Sequence, residues 1–170
     1  MSQKTEKIQV QIKYMRIEQQ FSADPQDAWL LINKFFKDFI PSFEIAQKLW
    51  LSVDLKQLAK DLTGIVAFSS DGASLLAPKN KLTDNEALSI WLTAQYLGDK
   101  LGLLSGDSQS KEELQTKLEK SGKITSTRLG ELAKNGVAAK TPDEKFRITT
   151  YGVMQTQKEV IPKIKSKIKT

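Results

Sequence analysis

The residues of this sequence whose types and spacing suit chemistry are three short hydroxyls followed by a guanidinium, Thr125, Ser126, Thr127 and Arg128. Lys123 stands just before them and Lys134 follows them. Groups of this kind bind anions and make hydrogen bonds; they do not by themselves break bonds. Small hydroxyls at a helix start can approach phosphates along the helix dipole, and a guanidinium can fork onto a guanine edge or a phosphate. Lys140, Lys145 and Arg147 add a second set of cations suited to a phosphate backbone. Two plainer roles stay open at this point. The hydroxyls would cap a helix in any protein, and Arg128 could pair with Glu131 or Glu112.

Bond-making chemistry has little support. The chain has no Cys and no His among its 170 residues, so the usual general base, the thiol nucleophile and the commonest zinc ligands are missing. Glu112 and Glu113 are adjacent, but neighbouring residues on a helix diverge, and Glu113 has a capping role instead. There is no Gly-rich phosphate loop of the P-loop or dinucleotide-binding type. The expectation is a protein that is not an enzyme, with no cofactor and no metal.

Charge placement points to the partner. Residues 1–80 carry ten Lys/Arg against nine Asp/Glu, whereas residues 81–170 carry sixteen against eleven. A basic excess confined to one half suits contact with a polyanion, although a solvated Lys-rich surface gives the same numbers. No apolar run is long enough for a membrane span, and the polar Met1–Lys7 stretch does not read as a signal peptide. A cytoplasmic, nucleoid-associated location is therefore expected, with no membrane partner.

Those residues need elements to hold them. In the first half, Ile8, Val10, Ile12 and Tyr14 alternate with polar residues, and Ile17 to Phe21 continues the pattern, which predicts two paired strands. Ser22 or Asp24 with Pro25 starts a helix whose Trp29, Leu30, Phe35 and Phe36 read as core. Two more helices, over Phe43–Trp50 and Val53–Leu62, precede a hairpin signalled by Asp71-Gly72. Residues 1–80 thus read as a ββααα-ββ domain, for dimerisation, effector binding or interaction. Pro78-Lys79-Asn80-Lys81 is the expected boundary.

Residues 81–170 open with a helix over Asp84–Leu104 that is apolar on two faces, and so is either a wall shared between the halves or a dimer contact. Ser110-Lys-Glu-Glu113 is a capping box, starting a helix on Leu114 and Leu118. Ser121-Gly122-Lys123 reads as a tight turn, with Thr125 or Ser126 capping the next helix to about Asn135. Gly136 ends that helix. Val137–Lys140 and Lys145–Thr149 form a hairpin, and a last helix runs from Tyr151 to Lys165 with Pro162 inside it.

This order, and the stretches Ile124–Val137 and Phe146-Arg-Ile-Thr-Thr-Tyr-Gly152, resemble winged helix-turn-helix DNA-binding regulators of the archaeal and bacterial type. The N-terminal half resembles only uncharacterised archaeal proteins. The resemblance implies an α+β chain ending in a winged helix-turn-helix domain over 81–170. It implies a transcription regulator or chromatin-associated factor that binds double-stranded DNA as a homodimer. Helix 125–135 would enter the major groove and the wing 137–149 would follow the backbone, with Lys123, Thr125, Ser126, Thr127, Arg128, Lys134, Lys140, Lys145 and Arg147 as contacts. Two alternatives remain: an interaction adaptor built on the same scaffold, or a single-stranded nucleic-acid binder using the aromatic residues of 29–39.

Overall fold

The alternating segment near the N-terminus pairs as expected. β1 (Ile8–Tyr14) and β2 (Ile17–Ala23) run antiparallel, with Ile8 opposite Ala23 and Tyr14 opposite Ile17. Asp24 then caps α1 (Pro25–Phe39), its carboxylate accepting the amides of Gln26 at 3.0 Å and Asp27 at 2.9 Å. Phe35 is the buried aromatic of α1, and Phe36 meets its edge. Trp29 and Leu30 depart from the core expectation: each is 65% exposed. Helical spacing places Leu30 on the far side of α1 from Ala28 and Phe35, the helix's two buried residues, and Trp29 on the flank between.

The computed structural model describes residues 7–14, 16–39 and 51–169, so the helix expected over Phe43–Trp50 lies outside the described residues. The chain divides into two compact units, residues 1–50 and 51–170. The division therefore falls some thirty residues earlier than the Pro78–Lys81 segment suggests. The reason is packing. α2 (Leu55–Leu62), capped by Asp54, and the hairpin of β3 (Val66–Ser69) and β4 (Gly72–Leu75) place Leu58, Leu62, Ile65, Val66 and Ala77 in one core with the C-terminal elements. Pro78 leads into a single 3-10 turn, Lys79–Lys81, rather than a linker.

That core is organised around α3 (Asp84–Lys100), whose capping box uses Thr83 and Glu86. Every residue from Ala87 to Gln95 is buried, which requires neighbours on all sides. They come from the same unit: α2, β4 and the elements described next. α3 thus offers no free apolar face for a second copy, which removes the sequence argument for a dimer contact there. It also stops short of Leu104. Gly102, at φ +69°, reverses the chain, and the Leu103 amide returns to the Gly98 carbonyl at 2.8 Å.

Beyond α3 come β5 (Ser108–Gln109), α4 (Lys111–Leu118), α5 (Gly122–Lys134), β6 (Ala138–Lys140) and β7 (Phe146–Ile148). The three strands form an antiparallel sheet in the order β5-β7-β6. β5 has no apolar alternation to betray it. Gln109 is buried, and its amide donates to Gln95 of α3 at 3.0 Å, while Gln95 donates to the Gly106 carbonyl at 2.7 Å. The chain ends in α6 (Thr150–Gln155), a π-helical turn (Thr156–Val160) and α7 (Ile161–Lys169). Pro162 explains the turn. A proline has no amide and its ring crowds the carbonyl four residues back, so the ladder widens and the Ile161 amide reaches the Thr156 carbonyl instead. The molecule is thus α+β, with small separate antiparallel sheets.

The Ser110 capping box gives a first prediction. The Ser110 hydroxyl accepts from the Glu113 amide at 3.2 Å and the Glu113 carboxylate accepts from the Ser110 amide at 2.6 Å. That backbone bond, helped by the Ser110 hydroxyl, Lys117 and Lys145, holds the Glu113 pKa below its ordinary 4.5 despite partial burial. A depressed carboxylate stabilises the fold above its ordinary pKa, and the gain disappears as pH falls through the folded value. Ser110→Ala should cost about 1 kcal/mol at neutral pH. Chemical denaturation should show the wild-type advantage shrinking below the ordinary glutamate range; an advantage that persists in acid would remove the box as its source.

Candidate nucleic-acid interface

α5 begins earlier than the sequence suggests. Ser121 is its cap, its hydroxyl accepting the Ile124 amide at 3.4 Å, and Gly122 is already helical. The preceding reversal falls on Glu119, a non-glycine residue in the left-handed region at φ +57° that ends α4. Gly122 suggests the turn, yet its neighbour Ser121 takes the cap and Glu119 takes the strained conformation. Thr125, Ser126 and Thr127 consequently lie one turn inside the helix rather than at its mouth.

Helical spacing then sorts the expected contact residues. Thr125, Leu129 and Leu132 are buried. The Thr125 hydroxyl donates to the Ser121 carbonyl at 3.1 Å, so this side chain braces the helix start and cannot reach a groove. Lys123, Ser126, Thr127, Gly130 and Lys134 recur at i, i+3, i+4, i+7 and i+11, which aligns them on one stripe, and all are exposed. A Cβ added to Gly130 would meet nothing within 4 Å. The middle of the stripe is therefore bare backbone, and neither Lys123 nor Lys134 has an anionic partner among the described residues.

Arg128 sits off this stripe, on the flank facing α3. Its Nη1 donates to both Glu131 oxygens at 3.0 Å, and its Nε lies 3.7 Å from Asp84 Oδ2. Asn85 completes the cluster by donating to Glu131 at 2.9 Å. The Asn85 bond first and the Arg128 bond second hold the Glu131 pKa below its ordinary value. Sequence spacing makes the Arg128–Glu131 pair legible, but not the α3 residues Asp84 and Asn85 that close around it.

The hairpin carries its cations in pairs as well. Lys140 bonds Glu144, Lys145 lies 3.4 Å from Asp143, and Arg147 lies 3.6 Å from Asp107. The first two pairs are solvent-exposed and the third is half-buried on its Asp107 side, so the lysine pairs contribute little and a phosphate could replace their carboxylates at small cost. The hairpin is fixed to α5 at its base. Gly136, at φ +73°, ends α5 while the Val137 amide returns to the Leu132 carbonyl at 2.9 Å. The Thr149 hydroxyl donates to the Gly136 carbonyl at 2.6 Å and accepts the Gly152 amide at 2.9 Å. Thr149 and Gly152 of the quoted stretch are thus the joint between hairpin, helix end and α6.

Among the described residues no helix is long and apolar enough to cross a membrane, and no group of three or more carboxylates is gathered to hold a metal ion. The chain matches no protein-family model, no curated protein and no solved structure.

Proposed function

We propose that this chain is a non-enzymatic protein that binds duplex DNA through a winged helix-turn-helix, as a transcription regulator or chromatin-associated factor. In this reading α4 and α5 are the helix-turn-helix, α5 lies in the major groove, and the β6–β7 hairpin is the wing along the backbone. The observation that carries it is the α5 stripe: two unpaired lysines, two short hydroxyls and a central glycine, opposite a buried face of Thr125, Leu129 and Leu132. A helix with this profile can enter a groove closely and neutralise phosphates at both ends. Pairing of two copies to match two half-sites belongs to the reading, through a face other than α3. A monomer mass by light scattering at tens of micromolar would remove that part.

Salt titration tests the central claim. Replacing both Lys123 and Lys134 with Ala should weaken all duplexes alike and flatten the salt dependence by about two units, as expected for two lost phosphate contacts. Lys145→Ala with Arg147→Ala should flatten it less, by about one unit, because both cations are already paired. Arg128 is the discriminating residue. If it leaves Glu131 to read a base, Arg128→Ala should cost about 1–3 kcal/mol on a preferred site and much less on random DNA. A duplex affinity independent of salt and of all these residues would sink the reading.

One observation favours the second reading, a protein-interaction adaptor. Trp29 and Leu30 present large apolar side chains to solvent on α1, a profile found at protein contacts. Such a contact would show a shallow salt dependence and insensitivity to the α5 lysines.

A further inference from the structure

α5 has three large apolar side chains, and one of them lies outside the core. Leu129 and Leu132 are buried, whereas Ile124, in the first turn of the helix, is 40% exposed. Exposure by itself means little, since single apolar residues are common on protein surfaces. The position means more. Ile124 stands beside the stripe on the side of Arg128, one turn before it. With Lys123, Thr127 and Arg128 it lines a shallow open hollow of about 190 Å³ on the helix surface. Neither core packing nor helix propensity accounts for an isoleucine there, because a β-branched residue is a weaker helix former than alanine or lysine.

The surroundings narrow what the hollow can take. The Thr127 hydroxyl donates to the Lys123 carbonyl at 2.9 Å, which spends its only hydrogen. Thr127 therefore has no donor left for a ligand and can add its methyl group to the apolar surface of Ile124. The Ile124 amide is held by the Ser121 hydroxyl at 3.4 Å, and a β-branched side chain in a helix keeps one strongly preferred rotamer. The apolar surface is thus largely fixed before anything binds. Lys123 adjoins it without an anionic partner, and no carboxylate lines the hollow, among the described residues. A small, rigid apolar spot beside an unneutralised cation suits an isolated methyl group carried by a polyanion. A protein partner would need a far broader apolar patch.

Duplex DNA presents such groups. The C5-methyl of thymine projects into the major groove as the apolar part of the base edge, and cytosine carries the same group when methylated at C5. We propose that Ile124 is a specificity-determining residue that packs on the C5-methyl group of a pyrimidine, with Thr127 beside it. The inference rests on the reading of α5 as the groove helix. It adds to the lysines a contact that depends on base identity and not on salt, since a methyl group carries no charge.

Duplexes that differ by one methyl group test it on the full chain. A preferred site is selected from random DNA, and each thymine in it is replaced singly by deoxyuridine, which removes the methyl and leaves the pairing intact. At one position or more the wild-type protein should bind the uracil duplex about fourfold more weakly, the worth of one buried methyl group. Ile124→Ala should bind both duplexes alike, with the salt dependence of wild type. Both proteins meet the same duplexes, so any effect of uracil on DNA shape cancels in the comparison. Ile124→Val keeps the β-branch and should retain a preference of about twofold, and it is the variant to read should Ile124→Ala unfold. Cytosine against 5-methylcytosine at the same positions identifies which base supplies the methyl. Absence of any preferred site, equal binding with and without the methyl at every position, or a methyl preference undiminished by the substitutions would overturn the inference and leave a salt-dependent duplex binder. Failure to bind any duplex would take the functional reading and the inference down together.

Discussion

Gly152→Ala should destabilise the second unit by about 3 kcal/mol or more, at the upper end of what overpacking costs. Gly152 is buried in the first turn of α6. A Cβ there would lie 2.0 Å from the Val137 carbonyl oxygen and 2.8 Å from both the Val137 carbonyl carbon and Ile148 Cγ1. Backbone cannot yield as a flexible side chain can. The Val137 carbonyl is moreover held by the Thr149 amide at 2.9 Å and the Thr149 hydroxyl at 3.2 Å, so retreat would break the joint at the base of the hairpin. Gly130→Ala is the matched control. It adds a methyl group in open space within α5 and should stabilise the protein by about 0.5–1 kcal/mol through helix propensity alone. Urea denaturation of the two variants reads both effects. A Gly152→Ala protein within about 1 kcal/mol of wild type would mean that α6 does not pack so tightly against Val137.

Leu129→Ala should cost about 2–5 kcal/mol, the range for removing a large side chain from a closed core. Leu129 is fully buried on the inner face of α5, in one core with Leu88, Leu92 and Leu114. It belongs to a helix of 13 residues with no other fully buried large apolar side chain, since Leu132 retains 5% exposure. Its loss leaves a void that neighbours on α3 can fill only by moving a helix buried on all sides. Denaturation midpoints at constant slope would report the loss. A cost below about 1 kcal/mol would show that α5 is seated by something else, and the stripe argument would lose its anchor.

Much of the architecture was legible in residue spacing. Alternation located β1 and β2, Asp71-Gly72 located the β3–β4 hairpin, and the Ser110–Glu113 box fixed the start of α4. Leu129 and Leu132 marked the inner face of α5, and Gly136 its end. What escaped the sequence was set by tertiary packing. β5 is two residues held by a buried Gln–Gln bond, which no period reveals. Residues 51–80 joined the second unit because Leu58 and Ile65 pack with α3, although Pro78–Lys81 has the composition of a linker. Thr125 was misplaced because a Thr reads alike whether it caps a helix or braces its interior. The Arg128 cluster depends on Asp84 and Asn85, more than forty residues away in sequence. A salt bridge within one helix turn is local information; the same bridge closed by a second helix is not.

The π-helical turn has a consequence for comparing this chain with others. A widened turn of this kind accommodates one residue beyond what a regular helix of the same path would hold. The flanking segments keep their facing, so Val153 before the turn and Ile161 and Ile164 after it all point into the core. A relative whose final helix is regular throughout would then align with this one across a single-residue gap between Thr156 and Val160. Its apolar residues would stay in phase on both sides of the gap, and it would lack a proline at the position of Pro162. The gap would mark where a helix took in an extra residue without turning any of its neighbours away from the core.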